Sequence, residues 1–351
     1  MVAGLLVETR YSAFLAVTGR ACDGVKTMKA IRFHTHGAPE VLKLEEIPVV
    51  EPGPGQVLVR VVTAGVNFLD VYQRTGLYKV ALPFTSGVEG AGIVERSGAD
   101  VDIAPGSRVA WAAYPGACAE FALVPAARLV PVPDGLDLSS AAAALLQGMT
   151  AQYLCEATYP VKKGDRGLVH AGAGGVGLLL IQMLKHKGAT VFTTVSTSEK
   201  AKLATAAGAD AAILYTGEDF VSRVKELTGG KGVNVVYDSV GLATYQGGFE
   251  VLKPLGMLVL FGQSSGRVPP IDPSVLVEKG SLFLTRPSLT HYAGDRESLI
   301  ERSKKLFNWI REGWLHLRIG HRYPLADTAQ AYRDLESRKT TGKILITVAP
   351  E

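Results

Sequence analysis

Six consecutive residues, Gly172-Ala173-Gly174-Gly175-Val176-Gly177, have a spacing that suits one chemistry: holding a dinucleotide by its pyrophosphate so that a nicotinamide ring can pass a hydride. The first glycine of such a turn permits the bend, the second lets backbone approach the phosphates, and the third lets helix pack on strand. The following helix offers unbonded N–H groups and the positive end of its dipole to the anion. Context carries this reading more than the letters do. The strand-like LVHA precedes the turn and the apolar run VGLLLIQMLKHKG follows it.

The choice of dinucleotide turns on the end of the next strand, about 20 residues on, where an NAD site places Asp or Glu. Here TVFTTV runs into Ser196-Thr197-Ser198-Glu199-Lys200. Small hydroxyls and an ammonium suit a 2′-phosphate, so NADPH is expected over NADH. Glu199 competes for the place, but is expected one position into the helix and pointing away. The plain alternative for Lys200 is a solvated helix charge.

These residues need elements to position them. Ala30–Phe33, Leu42–Ile47, Gln56–Val66, Gly92–Arg96, Arg108–Trp111, Cys118–Val124 and Leu129–Pro131 read as short strands, the signature of a barrel-like β domain. After Asp137 the rhythm changes. A helix over Ala141–Leu154 is expected, capped by Ser139 or Ser140. Then βα units repeat through Gly167–His170, Gly175–His186, Thr190–Val195, Ser198–Ala207, Ala211–Leu214, Asp219–Thr228 and Val233–Tyr237, with Gly256–Phe261 closing the set. This alternation predicts an α/β, doubly wound parallel sheet. The tail adds helices at Leu299–Gly313 and around Asp327–Ser337 and a strand at Lys343–Val348. The expected domains are an extension over 1–27, a substrate domain over 28–150, a nucleotide domain over 151–286, and a return to the substrate domain over 287–351.

Bulk properties narrow the function classes. At 351 residues the chain is too long for one small core. A net charge of +4 is too mild, and its cations too scattered, to suggest a nucleic-acid arm. Cys22, Cys118 and Cys155 form no metal-ligand spacing, which points to a reducing, cytoplasmic setting. No apolar window is long enough to span a membrane. Residues 1–27 hold Arg10, Arg20 and Lys26 but also Glu8 and Asp23, which weakens a mitochondrial targeting reading.

Several longer motifs, in order, resemble one family. They are AGVNFLDVYQRTGLY (64–78), GVEGAGIVERSG (87–98), HAGAGGVG (170–177), VVYDSVG (235–241), FGQSSG (261–266), TRPSL (285–289) and LESRKTTGK (335–343). From Met28 nearly to the end the chain is similar to the ζ-crystallin-like NADPH:quinone oxidoreductases of the medium-chain dehydrogenase/reductase superfamily. The resemblance implies a Rossmann domain plus a β-rich GroES-like substrate domain, and a homodimer, with edge strands near Gly256–Phe261 as the candidate contact. It implies that Ser196, Lys200, Tyr215 and Arg338 meet the 2′-phosphate. Phe68, Asp70, Tyr72 and Thr150 would lie near the nicotinamide, Tyr153 close to the cofactor, and Phe261, Gly262 and Ser264 along it. Read alone, Tyr153, Tyr215 and Phe261 are better explained as core aromatics.

Zinc-dependent relatives carry a Cys and a GHE motif where this chain has Asn67-Phe68-Leu69-Asp70 and Gly87-Val88-Glu89-Gly90, so a thiolate and an imidazole ligand are missing. No metal is expected, and alcohol oxidation, which needs a Lewis acid for the alkoxide, is disfavoured. A quinone or enone needs only hydrogen-bond donors for its delocalised oxygen anion. Asn67, Tyr72 and Tyr78 are the candidate catalytic donors, and no general acid stands out. Hydride transfer to a quinone is the expected reaction, with one-electron transfer left open. An enone or alkenal reductase shares every motif. A structural or RNA-binding NADPH protein would need a basic patch, and the Arg302, Lys304, Lys305 group reads instead as a solvated helix face. His170 is expected to be structural.

Overall fold

The computed structural model describes residues 26–350, so the extension expected over 1–27 lies outside them except for Lys26 and Thr27, and Cys22 lies outside them too. The first part contains β1 (Thr27–Phe33), β2 (Lys43–Pro48), β3 (Gln56–Val66), α1 (Phe68–Arg74), β4 (Phe84–Thr85), β5 (Glu89–Ser97), β6 (Arg108–Ala112), β7 (Phe121–Pro125) and β8 (Val130–Pro131). These make a small sheet in the order β2-β1-β4 and a larger antiparallel one, β3-β5-β6-β8, with β7 on β3. The long β3 is β-branched and buried along most of its length, so it forms the spine of this layer.

α2 (Leu138–Tyr153) leads out of the β domain. Its cap is Asp137, whose carboxylate accepts from Ser140 N–H at 2.7 Å; Ser139 and Ser140, the expected caps, are already helical. Asp137 stands immediately before the first helical residue, where a side-chain oxygen can accept from the open N–H groups of the first turn. Ala141 to Ala144 are all buried. Their small size lets α2 serve both halves of the molecule, and Gly148 lies against Leu306, where a Cβ would be 2.7 Å from the Leu306 side chain.

The second part runs β9 (Arg166–Val169), α3 (Gly175–His186), β10 (Thr190–Val195), α4 (Ser198–Ala206), β11 (Ala211–Leu214), α5 (Phe220–Leu227), β12 (Val233–Asp238), α6 (Tyr245–Val251), β13 (Leu252–Leu260), α7 (Ser274–Glu278) and β14 (Phe283–Thr285). All six strands are parallel, ordered β11-β10-β9-β12-β13-β14. β12 is buried at every position, as a strand covered on both faces must be. The order reverses between β9 and β12, which opens a crevice at the carboxyl ends of these strands. Gly256–Phe261 does not close the set: β13 is flanked by β12 and β14, and β14 is the edge. The three-residue β14 was too short to show in the sequence pattern.

The tail holds α8 (Leu289–Tyr292), α9 (Arg296–Arg311), β15 (Ile319–Pro324), α10 (Thr328–Glu336) and β16 (Lys343–Thr347). β16 pairs antiparallel with β3, and β15 extends that sheet. The chain after β14 therefore crosses back from the parallel sheet to the first one, which places Arg338 and Lys343 between the two.

Candidate active site

The glycine turn joins β9 to α3. Ala171 enters it at φ 56°, a left-handed conformation that costs a residue with a Cβ about 1–2 kcal/mol. The first intrahelical bond of α3 runs from Leu178 N–H to Gly174 O at 3.0 Å. The N–H groups of Gly175, Val176 and Gly177 thus precede the helical ladder and form the anion-facing end. The glycines divide by role. A side chain on Gly172 would overlap Thr193 Oγ1, and one on Gly177 would overlap the Ala171 carbonyl. Gly174 is different: its nearest obstacle is the Ala171 oxygen at 3.2 Å, so the space beside it is free for a ligand.

Beyond β10, Thr197 caps α4, its Oγ1 accepting from Lys200 N–H at 3.3 Å. Glu199 is exposed in the first turn of α4, as expected, and its own backbone N–H and then the Thr197 hydroxyl hold its carboxylate below the usual range. Lys200 Nζ donates to Arg338 O, and Arg338 itself sits at φ 60° just past α10. Burial, then the Arg338 charge, holds the Lys200 ammonium below its usual range. Two cations this close, with no carboxylate partner among the described residues, form a ready anion site. Tyr215 is 41% exposed, and its N–H donates to Val195 O at 3.2 Å, bringing its backbone beside Ser196. Ser196, Lys200, Tyr215 and Arg338 are thus gathered at one end of the crevice. Gly342 N–H donates to Ala173 O at 2.9 Å and ties the returning chain to the glycine turn.

At the other end, Gln263 N–H donates to the Tyr72 hydroxyl at 2.9 Å, so α1 touches the loop that follows β13. The acceptor role leaves the Tyr72 proton for another partner. Burial pushes this hydroxyl up to about 12, so it stays protonated. Tyr78 meets Tyr72 edge-on at 5.3 Å between ring centroids and is 40% exposed. Phe68 packs 6.2 Å from Tyr72 on the same helix. Phe261 and Gly262 turn over Asp238 O, and Ser264 N–H donates to Ser239 O at 3.2 Å.

Four expected residues are engaged otherwise. Asn67 is buried with both ends of its amide occupied: Nδ2 donates to Gly65 O and Glu89, and Oδ1 accepts from Gln147 and Lys343. It has no donor left for a substrate oxygen. Asp70 is buried behind α1, accepting from Asn67 N–H at 2.8 Å and Val88 N–H at 3.0 Å. It pins a loop rather than facing a ribose, and burial pushes its carboxyl up to about 7 against the pull of the Asn67 N–H and the Lys343 charge. Tyr153 is stacked flat on Tyr292, 4.3 Å between centroids, and is 2% exposed. Thr150 Oγ1 is turned back to Leu146 O at 2.7 Å. Tyr292 of α8 commits Tyr153 and Lys343 of β16 commits Asn67, contacts between distant segments that local sequence does not show, whereas Asp70 and Thr150 are held by backbone groups of α1, the Val88 loop and α2. His170 is structural as expected: it is buried, its Nδ1 pairs with Thr194 Oγ1 at 2.9 Å, and burial lowers its pKa.

Sequence reasoning missed Arg286, Glu89, Gln147 and Lys343. Three of these stand inside motifs that carried the resemblance, TRPSL, GVEG and TTGK, so the signal was present but unassigned. Arg286 approaches the Tyr78 hydroxyl at 3.4 Å.

Comparison with known proteins agrees with this architecture. Residues 53–134 match the alcohol dehydrogenase GroES-like domain and residues 175–304 the zinc-binding dehydrogenase family. A quinone oxidoreductase of Pseudomonas aeruginosa is 43% identical over 91% of this chain and 99% of its own length. The chain belongs to the quinone oxidoreductase family of the medium-chain dehydrogenases/reductases. A 2-haloacrylate reductase of a Burkholderia species is 43% identical over 89% of this chain and 97% of its own. The crystal structure of Escherichia coli quinone oxidoreductase complexed with NADPH matches with a TM-score of 0.89 at 41% identity, covering 91% of this chain and all of that one. This family's zinc-binding relatives share its fold, but among the described residues here no group of three or more His, Cys, Asp or Glu is arranged to hold a metal ion. Nor is any helix among them long and apolar enough to cross a membrane.

Proposed function

We propose that this chain is an NADPH-dependent quinone oxidoreductase that works without a metal. The observation carrying the reading is a crevice at the carboxyl ends of β9, β10 and β13, where Lys200 from beyond β10 meets Arg338 from beyond α10, neither ion-paired among the described residues, with the Tyr72–Tyr78 hydroxyls against the loop after β13. The chain fits NADPH: Gly174 leaves room, three N–H groups precede the α3 ladder, and two cations await a dianion. When bound, NADPH supplies a hydride. The chain's part is to bind, orient and stabilise. The glycine turn holds the pyrophosphate, Ser196, Lys200, Tyr215 and Arg338 the 2′-phosphate, and Phe68, Phe261, Gly262 and Ser264 line the path between. Tyr72 donates its free proton to the acceptor oxygen as charge develops there, helped by Tyr78.

Tyr72→Phe tests this. It is expected to lower kcat/KM for quinone about 100-fold while leaving NADPH affinity within a few-fold. Unchanged turnover would overturn the donor role. Steady-state NADPH oxidation over quinones, enones and alcohols tests the class, and activity confined to alcohols would reject it. The 2-haloacrylate reductase relative keeps an activated-alkene reductase as the second reading.

A nucleic-acid role finds little support. Arg302 is spent on Tyr292 O at 2.8 Å, and Lys305 on Glu156 at 2.8 Å. The homodimer is proposed through the β14 edge, beside which Leu255, Val277 and Phe283 are 65%, 74% and 54% exposed. Phe283→Glu should yield monomers by light scattering. The supply of NADPH and the two buried, unpaired cysteines Cys118 and Cys155 favour the cytoplasm.

A further inference from the structure

Arg286 follows β14 directly and reaches over the end of β13. Its Nη1 meets the carbonyls of Leu260 and Gly262, and its Nη2 meets the Tyr78 hydroxyl, each at 3.4 Å. All three contacts are at the long limit, against about 2.9 Å for a normal N–H···O bond. A guanidinium has five N–H donors, and none of these three partners is charged. Arg74 shows how the same fold treats an arginine used as a strut. That side chain is 1% exposed and closes on Gly37 O and the Glu336 carboxylate, both at 2.5 Å. Arg286 is the opposite case: exposed, loosely held and without a carboxylate among its described partners. Its neighbours are the two tyrosines of the acceptor end. The Tyr78 hydroxyl touches it, and its charge favours the ionised form of Tyr72 as well.

We propose that Arg286 selects the acceptor, its guanidinium taking a carboxylate carried by the conjugated system, so that carboxylated quinones and enoates are reduced in preference to their neutral counterparts. This rests on the hydride-transfer reading given above. A fork of parallel N–H groups matches a carboxylate bidentately, which neither tyrosine can do. For an enoate the step balances as follows. The β-carbon gains a hydride and the α-carbon a proton from water, the C=C π bond is lost, and the acceptor is reduced by two electrons as NADPH is oxidised to NADP⁺. Charge grows on the carboxyl oxygens before the proton arrives, so the cation beside them binds the transition state more strongly than the substrate.

Two matched pairs test the proposal: a 1,4-naphthoquinone bearing a propionate side chain against its methyl ester, and 2-chloroacrylate against its methyl ester. Wild-type kcat/KM is expected to favour each acid at least about 10-fold over its ester, the scale of one charge-assisted bond. Arg286→Gln should bring the ratio near one, the acid losing at least about 10-fold more than the ester, with melting temperature unchanged. Arg286→Lys should keep part of the preference. Calorimetric titration of the NADP⁺-loaded protein with the propionate quinone reads binding apart from turnover, and Arg286→Gln should weaken it by a similar factor. A wild-type ratio of one or below, or a preference that survives in Arg286→Gln, overturns the assignment. Ester turnover alongside a failed ratio sinks Arg286 and leaves the hydride reading standing. No turnover of any of the four compounds sinks the hydride reading, and the titration then decides Arg286 by itself.

Discussion

Lys343 Nζ donates to Asn67 Oδ1 at 2.9 Å, and that contact decides which end of the Asn67 amide faces which neighbour. Lys343 can only donate and Glu89, also paired with it, can only accept. The amide oxygen must therefore turn to the lysine and the nitrogen to the carboxylate. Gln147 donates to the same oxygen at 3.2 Å and also lies against Gly175, so the network ties α1 to the glycine turn.

The Glu89–Lys343 pair predicts a stability asymmetry. Both side chains are almost wholly buried, so Lys343→Met strands a carboxylate in the interior. A loss of about 3–5 kcal/mol is expected. The double variant Glu89→Gln with Lys343→Met removes the stranded charge and should recover much of it. Denaturant unfolding of the two single variants and the double variant measures the coupling, and additive losses would contradict it.

The cation pair predicts cofactor discrimination. On the proposed reading, Lys200→Ala and Arg338→Ala each remove one charged contact to a 2′-phosphate, worth roughly 1.5–3 kcal/mol. NADPH should weaken about 10- to 100-fold, and NADH by less than about 3-fold. Fluorescence titration of both cofactors checks this. Equal loss for the two would show that the pair serves no phosphate.

How far this was legible in the sequence follows from the range of each signal. The glycine turn and the strand–helix alternation are local, so α3, β10 and β11 stand where the pattern put them, to the residue. The cation pair was half legible: Lys200 lies one strand beyond the turn, whereas Arg338 arrives from a segment well over a hundred residues away and was reached by resemblance. Asn67 shows the limit. Its type fits a donor, but Lys343 sits 276 positions away and fixes it instead. Asp137 failed for a smaller reason, since the helix starts one turn before its apolar run.

The glycines separate binding from folding. A Cβ at Gly174 meets only the Ala171 oxygen at 3.2 Å, so a Gly174→Val protein should fold and lose NADPH. Gly172→Val and Gly177→Val overlap Thr193 and the backbone of Ala171, so they should lower the melting temperature as well. Melting curves beside cofactor titrations distinguish the two classes. A Gly174 variant with wild-type affinity would remove the phosphate role of the turn.

Asp70 predicts the sign of a pH effect. Burial raises its carboxyl to about 7, from an ordinary carboxylate value in the unfolded chain. Between those two values the folded state holds more protons than the unfolded one, so stability from this group falls as pH rises through the window. Its contribution is most favourable below about pH 4 and smallest above about 7. Asp70→Asn cannot titrate, so its melting temperature should decline less than that of the wild type between pH 5 and 8. The comparison must be of slopes, because the amide also replaces one of the two acceptors that hold Asn67 N–H and Val88 N–H and lowers stability at every pH. Parallel slopes in the two proteins would mean that Asp70 stays ionised throughout, held by those two N–H groups and by Lys343 more strongly than burial opposes it.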